Sequence, residues 1–416
     1  MKEQNTGYAD GQLFSSKQKP RAHKQKPQVQ SSEEMPQALE ASLSSHDVNL
    51  IDWCRLLRDR RWSQRQKYRL LKVLSSPEAI YASSDSQLKK IIGDKFRCQS
   101  AQVDEIDLDS DQQWLAEPGN HLITLYNPRF PDLLKQLSDP PIALFARGKL
   151  DLLDDPKVAI VGSRRPTPVG AKLVQELASD LANQGLVITS GMALGIDGMA
   201  HQAALANQGS TIAVMGCGLD IVYPSRNRKL HEQLSVHGLI LSEYPLGYKP
   251  TRFTFPQRNR IVSGLSYGVL IVEAAQGSGT LITARLALDQ DRELMVVPGS
   301  SLSSQYAGSH QLLKEGATLV TTSEDVLHSL EQPLQQYLLK SHTKRESHIE
   351  GRAKSTSFLN SQAQALLNYI GAESTSIDQI IRASGLSASE VSPLLLMLEL
   401  DNIVTTDSDG GFINLS

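Results

Sequence analysis

The chain has 416 residues, enough for two or three domains with at least one sizeable core. Its formal net charge is −3, so a nucleic-acid surface would have to be a local patch of cations. The three cysteines (Cys54, Cys98 and Cys217) lie far apart without C-x-x-C spacing, which argues against both a disulfide framework and a zinc site, and we expect no bound metal. Because the N-terminus lacks an apolar segment and no run of about 18 apolar residues occurs, we expect a cytoplasmic protein without a membrane partner.

Residues 1–45 are rich in Gln, Ser, Lys and Pro, a composition typical of a disordered tail. In residues 46–118, apolar side chains recur at helical spacing and predict a helical N-terminal domain. Eight Lys or Arg side chains accompany only two Asp between residues 51 and 72. This excess indicates either a solvated helix face or an accessory DNA contact, and the sequence leaves both open. An acidic strip covers 104–117.

Residues 119–331 are predicted to form one domain. A proline-containing connector opens it and is expected to lie across the domain surface. Apolar strands are then predicted at 157–161, 186–189, 211–215, 239–242, 268–273, 294–297 and 318–320. Because helical stretches alternate with these strands, we predict an α/β fold with a doubly wound, mostly parallel sheet that is covered by helices on both faces.

The last 85 residues divide into two segments. Residues 332–356 are polar and are predicted to be a linker. Residues 357–416 show three helical patterns and two short strands around an Asp-Gly-Gly turn, the order of a winged-helix domain. From 358 to 416 the sequence has seven acidic side chains and one basic one, Arg382. Since non-specific DNA affinity depends on Lys and Arg, we predict that this domain contacts protein rather than duplex DNA.

The first strand of the α/β domain ends in a turn that could bind an anion. Gly162 permits the turn, and Thr167 and Pro168 look like N-cap and N1 of a helix, so backbone N–H groups should be free to bind a phosphate. The G-x-G-x-x-G spacing of a dinucleotide site is absent, and the turn instead carries Ser163, Arg164 and Arg165. We therefore expect no nucleotide cofactor.

A second glycine-rich turn, made of Gly277, Ser278, Gly279 and Thr280, also precedes a helix. A similar turn occurs in Rossmann-like phosphoribohydrolases, which carry a carboxylate three residues after the threonine. This chain has Thr283 there and lacks the acid–base group. The alternative is that these glycines only permit close packing of strand against helix.

The segment 245–261 combines cations with aromatic rings. Lys249, Arg252, Arg258 and Arg260 occur without an acid, interleaved with Tyr248, Phe253 and Phe255. This pattern is typical of a single-stranded nucleic-acid groove, and an extended Phe-Thr-Phe would place both rings on one side. The alternative is that the phenylalanines belong to the core and the arginines to a solvated rim. Asp197 is expected to cap the helix that follows it, and His201 to be a packing or surface residue.

Taken together, "VAIVGSRRPTPVG", "SGMALGIDGMAHQAAL", "FPQRNRIVSGLSYGVLIVEA" and "SGTLITARLALDQ" resemble the DNA-processing protein A (DprA or Smf) family over roughly residues 120–328. The resemblance implies that the α/β domain is an extended Rossmann-like domain through which the protein forms a homodimer. It also implies a protein of natural transformation that binds and protects incoming single-stranded DNA and loads a RecA-type recombinase onto it. The family's Gly-Ser-Arg turn falls on Gly162, Ser163 and Arg164, and its Phe-Pro-x-Arg-Asn-Arg motif on Phe255, Pro256, Arg258, Asn259 and Arg260. Where some relatives have lysine after Tyr-Pro, this chain has Ser225, followed by Arg226.

The expected function is therefore that of a non-enzymatic DNA-binding mediator. Two alternatives stay open at this point. One is a nucleotide phosphoribohydrolase, and the other is a transcription factor acting through the winged helix.

Overall fold

The computed structural model describes residues 50–93, 103–206 and 210–349, and shorter stretches further on: 366–367, 369–371, 374–387, 391, 394–395, 398, 404–406 and 411–414. The predicted disordered tail and Cys98 lie outside the described residues.

The N-terminal domain is helical, as predicted. Its helices are α1 (Leu50–Arg58), α2 (Gln64–Leu74), α3 (Pro77–Ala82), α4 (Asp85–Ile92) and α5 (Glu105–Ala116). Ser63 begins α2 with a capping box to Gln66, and Ser76 caps α3 before the proline at its first position. The buried faces of these helices share one core with side chains of the sheet, including Phe145. The helical domain is thus packed against the end of the α/β domain.

The α/β domain contains a nine-stranded sheet. Its strands are β1 (Asn120–Thr124), β2 (Ala143–Gly148), β3 (Lys157–Gly162), β4 (Val187–Ser190), β5 (Thr211–Met215), β6 (Leu239–Ser242), β7 (Gly268–Val272), β8 (Glu293–Val296) and β9 (Thr318–Leu319). The spatial order is β1-β2-β6-β5-β4-β3-β7-β8-β9, with all pairs from β6 to β9 parallel. The predicted doubly wound, mostly parallel sheet is confirmed, and the strand order reverses between β3 and β7.

The connector predicted to cross the surface instead supplies strands β1 and β2. They pair with each other and then with β6, always antiparallel. Ala143, Leu144, Phe145 and Ala146 are completely buried. The prolines that suggested a surface segment lie between the two strands, where they interrupt no pairing.

Helices cover both faces of the sheet. They are α6 (Asp132–Lys135), α7 (Pro168–Asn183), α8 (Ile196–Ala206), α9 (Arg228–His237), α10 (Thr254–Gly264), α11 (Gly279–Asp289), α12 (Ala307–Lys314) and α13 (Ser323–Ile349). Helices α7 and α8 bury their apolar sides against one face, and α10 and α11 against the other. Because each strand of β3 to β6 is buried on both faces, its sequence is a continuous Val/Ile/Leu-rich run rather than an alternation.

The C-terminal part differs from expectation in one respect. Helix α13 runs to Ile349, through much of the segment 332–356 that was predicted as a linker. Beyond it the described elements are α14 (Ile377–Ser384) and the antiparallel pair β10 (Val404–Thr406) and β11 (Phe412–Asn414). Leu366, Ile380, Leu395 and Val404 belong to a small core of their own.

Candidate nucleic-acid interface

The two glycine turns lie side by side where the strand order reverses. Gly162 ends β3 so close to β7 that a Cβ atom there would lie 1.9 Å from the carbonyl oxygen of Val272. Thr280 donates a hydrogen bond from its hydroxyl to the carbonyl of Gly162 at 3.2 Å. In open α/β sheets, ligands bind at the carboxyl ends of the strands at such a reversal point. The two turns therefore define the position of the candidate site.

The first turn does not offer the free N–H groups that the sequence suggested. The carboxylate of Glu273, the residue after β7, lies beneath the start of α7 and accepts hydrogen bonds from the Thr167 N–H and hydroxyl. Gly170 N–H is bonded to the Thr167 hydroxyl oxygen, and Pro168 has no N–H. A buried side chain thus already occupies the start of this helix, which corrects the prediction of an open anion cradle there.

The second turn is open. Within the described part of the chain, the N–H groups of Gly279 and Thr280 and the hydroxyl of Ser278 have no hydrogen-bond partner. Gly277 adopts a left-handed φ of 72°, which a glycine allows without strain. Unpaired donors at the first turn of an 11-residue helix are suited to an anion, because the helix dipole adds to their attraction, and binding at this turn stays a prediction.

A groove of about 750 Å³ opens above both turns. The sequence-predicted site residues that line it are Gly162, Ser163, Arg164, Arg252, Phe255, Arg258, Asn259, Ser278, Gly279 and Thr280. Arg164 and Arg252 are exposed, as are Arg165, Arg226 and Lys249 outside the lining. The groove thus combines unpaired backbone donors with cations that are able to reach a solvent-borne anion.

The aromatic pair is not extended. Helix α10 begins at Thr254, and Phe253 stands at its N-cap with helical φ and ψ, so the two rings do not share a strand face. Phe253 is 65% exposed, with the Arg252 guanidinium 4.7 Å from its ring centroid. Phe255 is half-buried and packs against Tyr223, with ring centroids 5.4 Å apart. Of the two, Phe253 therefore has the ring that a base could stack on.

Arg258 and Arg260 are buried, contrary to the expectation of solvent-facing cations. Arg258 donates to the carbonyl oxygens of Gly191 and Val214 and forms part of the groove floor. Arg260 pairs with the buried Glu243 and with Asp139. Burial favours the neutral form, so it lowers the pKa of Arg258 and raises the pKa of Glu243. Both guanidinium groups are thus used to build the site.

Asp197 and His201 form hydrogen bonds within the protein, Asp197 to a loop and His201 to the sheet. Asp197 does not cap its own helix but accepts from the backbone N–H groups of Gly191 and Ala193, and burial raises its pKa against the opposing effect of Arg258. His201 is fully buried and bonded to the Thr211 hydroxyl at 2.7 Å, and burial lowers its pKa to about 3. Of the two roles expected for His201, packing or surface, the structure shows packing.

Sequence reasoning missed two residues at the site. Tyr223 lines the groove and is 43% exposed, although it lies in a loop far from the basic segment in sequence. Glu273 was read only as the end of a strand. The position of an acid directly after a buried strand at the carboxyl edge was a signal for it.

The cations of the helical domain divide into two groups. Arg58 pairs with Asp107 and Asp111 on α5, and Arg61 pairs with Asp59. Lys67 is buried and donates to the carbonyl of Leu57. Exposed cations remain at Arg60, Arg65, Arg69 and Lys72. The acidic strip thus neutralises part of the excess, and the question of an accessory DNA contact stays open.

Among the residues that the structure describes, no helix is both long and apolar enough to span a membrane. Within the same residues, no group of three or more His, Cys, Asp or Glu side chains is arranged to hold a metal ion.

Comparison with known proteins identifies relatives for most of the chain. Residues 121–331 match the family model described as DNA recombination-mediator protein A, and residues 350–410 match the DprA winged helix domain. Protein Smf of Escherichia coli is 39% identical over 316 residues, covering 74% of this chain and 81% of the relative. The DNA processing protein DprA of Streptococcus pneumoniae is 48% identical over 202 residues, covering 49% of this chain and 71% of that protein.

A solved structure agrees with these matches. The X-ray structure of DNA processing protein A from Streptococcus pneumoniae has a TM-score of 0.60 and 36% identity, covering 68% of this chain and 98% of that one. The Rossmann-like α/β domain and the C-terminal winged-helix domain predicted from the sequence are thereby confirmed. By these matches in sequence and structure, the chain belongs to the DprA/Smf family of DNA recombination-mediator proteins.

Proposed function

We propose that this protein binds single-stranded DNA along the carboxyl edge of its sheet and presents it to a RecA-type recombinase. The observation that carries the proposal is the second turn, whose unpaired donors at Gly279 and Thr280 lie in the same groove as the exposed Arg164 and Arg252. Backbone N–H donors and arginines are suited to phosphates, and a single strand carries phosphates as a duplex does.

The rings beside the groove favour single-stranded DNA over duplex DNA. Phe253 is exposed, and Tyr223 lines the groove. Bases stack on such rings only when they are unpaired, and each stacked base contributes about 1–3 kcal/mol. Arg164, Arg165, Lys249 and Arg252 would contact phosphates, and Arg258 and Arg260 would hold the groove in shape.

Loading of a recombinase and assembly as a homodimer belong to the same proposal, because the family relationship supports them. The experiment measures ATP hydrolysis by a RecA-type recombinase on single-stranded DNA already coated with single-strand-binding protein. We expect this protein to shorten the lag before hydrolysis, and Arg164→Ala to lengthen it again. A lag that this protein leaves unchanged would contradict the mediator role.

The hydrolase alternative is weaker. Thr283, at the position where a phosphoribohydrolase would carry its carboxylate, is buried and cannot act as acid or base. We expect no release of base or phosphate when the protein is incubated with nucleoside monophosphates. Turnover that depends on the groove residues would revive the alternative.

A further inference from the structure

Glu273 has an energetically unfavourable environment and backbone conformation. Its side chain is fully buried and its backbone has a left-handed φ of 57°, which residues other than glycine rarely adopt. The segment that follows is tied down, because Ala274 receives hydrogen bonds on its carbonyl from Gly308 and Ser309 and donates to the Ser309 hydroxyl. Several hydrogen bonds thus hold Glu273 in a strained backbone conformation.

The carboxylate is directed to the start of α7. It accepts from the Thr167 N–H at 2.9 Å and from the Tyr306 hydroxyl at 2.8 Å. A Cβ atom on Gly170 would lie 2.2 Å from the nearer carboxylate oxygen, so only glycine lets the helix come this close. The donors are the N–H and hydroxyl of the N-cap residue Thr167 and the Tyr306 hydroxyl, so a resident carboxylate takes the end of the helix at which the dipole attracts anions.

This place is where dinucleotide-binding α/β folds hold a pyrophosphate, after the first strand and at the start of the helix that follows. A second anion cannot enter while the carboxylate is present, both because the volume is filled and because like charges repel at short range. The second turn at Gly279, by contrast, has its donors unpaired.

We propose that Glu273 is a specificity-determining residue that keeps the phosphates of free nucleotides and pyrophosphate away from the start of α7. Its carboxylate occupies the N-terminal end of α7, where an anion would otherwise bind. The groove therefore binds only phosphates that lie over Arg164 and the second turn. The groove thereby has the architecture of a nucleotide site but selects the phosphates of a nucleic-acid strand. This inference rests on the proposed binding of single-stranded DNA, although its test on pyrophosphate does not.

The test is calorimetric titration of full-length protein with inorganic pyrophosphate. In wild-type protein the second turn is the one of the two turns that is free for pyrophosphate, and the wild-type affinity is the reference for the variants. Glycine tolerates the left-handed backbone, and Glu273→Gly removes the carboxylate from the start of α7. This variant should bind pyrophosphate at least about tenfold more tightly than wild type, since charge-assisted hydrogen bonds become available. If that variant does not fold, Glu273→Asn takes its place, because asparagine also tolerates this backbone.

Tyr306→Phe is the matched control, because it removes one donor to Glu273 but leaves the carboxylate in place. It should bind pyrophosphate no better than wild type. An equal gain in pyrophosphate affinity in this control would show that the site opens when a hydrogen bond to Glu273 is lost, even with the carboxylate present. That result would overturn the proposal. So would a folded glycine variant that binds pyrophosphate no more tightly than wild type.

A parallel titration with an oligo(dT) strand separates the two proposals. Wild type that fails to bind oligo(dT) contradicts the proposed function, whatever the pyrophosphate result. Wild type that binds oligo(dT), together with a folded Glu273→Gly variant that still rejects pyrophosphate, contradicts only the role of Glu273.

Discussion

Gly279→Pro should remove a single phosphate donor from the second turn without disturbing the helix. Gly279 is the first residue of α11, where proline fits because its N–H is not needed for helix bonding. The preceding Ser278 already has the extended φ and ψ of −69° and 153° that proline requires of its neighbour. A Cβ atom at Gly279 would meet nothing within 4 Å, so the ring has space.

The magnitude follows from the bond that is lost. A hydrogen bond to a charged group contributes about 1.5–3 kcal/mol, and at this exposed turn we take the lower end, or about tenfold in affinity for oligo(dT). The thermal midpoint should not fall, because proline at a compatible position restricts the unfolded chain. Fluorescence anisotropy with a labelled oligo(dT) strand measures the affinity.

Gly279→Ala is the control, since it adds a side chain at the same place but keeps the N–H. We expect it to bind like wild type. If proline and alanine variants, both folded, have equal affinities, then the Gly279 N–H does not contact phosphate and the second turn is not the anion site.

Four further predictions concern other parts of the chain. Arg164→Ala should flatten the slope of log affinity against log salt for oligo(dT) by about 0.7, whereas Lys314→Ala, at the end of α12 on the opposite edge of the sheet, should not change it. Phe253→Leu should weaken oligo(dT) binding by about 1 kcal/mol or more with an unchanged thermal midpoint, because the ring is 65% exposed; unchanged affinity would remove it from the stacking surface. The pKa of His201 falls to about 3 on folding, so its stabilising effect is complete above about pH 6.5 and is lost as the pH falls toward 3. Urea unfolding should show a loss of about 2 kcal/mol from this group between pH 8 and pH 5 that is absent in His201→Gln, and parallel declines in the two proteins would contradict it. Truncation after Arg345 should leave oligo(dT) affinity nearly unchanged, because the residues removed carry three Lys or Arg (Arg352, Lys354 and Arg382) against nine acids; loss of binding would return DNA recognition to the winged helix.

The parallel strands and the two turns could be predicted because their signals are local. A buried Val/Ile run followed by a glycine and a helix cap specifies a strand, a turn and a helix within about 15 residues. Strands β1 and β2 escaped prediction because the prolines between them resemble a surface connector, and only pairing with β6 reveals their place. That pairing joins residues almost a hundred positions apart.

The composition of the site was predicted better than the role of each residue. Arg258 and Arg260 were recognised as important cations, but burial and the acceptors at Gly191, Val214 and Glu243 decide that they support the groove. Such acceptors are distant in sequence. A cation's residue type does not indicate whether its partner is solvent, DNA or the protein's own backbone.

Glu273 illustrates the opposite case. An acid directly after a buried strand places Glu273 at the carboxyl edge, but the local pattern does not show that it fills a helix N-terminus, because Thr167 and Tyr306 lie far from it in the sequence on either side. Its left-handed backbone is also a tertiary effect, maintained by residues 308 and 309. The prediction of an open first turn therefore failed for a reason visible only in three dimensions.

The central claim is that the exposed cations and the open turn at the carboxyl edge bind single-stranded DNA. The most direct measurement is the affinity of the full-length protein for an oligonucleotide and for the duplex of the same sequence, each over a salt series. If three to five of Arg164, Arg165, Arg226, Lys249 and Arg252 contact phosphates, the single strand should bind more tightly, with a log–log salt slope of about −2 to −3.5. Equal or tighter binding of the duplex, or affinity for the single strand that does not depend on salt, would contradict the claim.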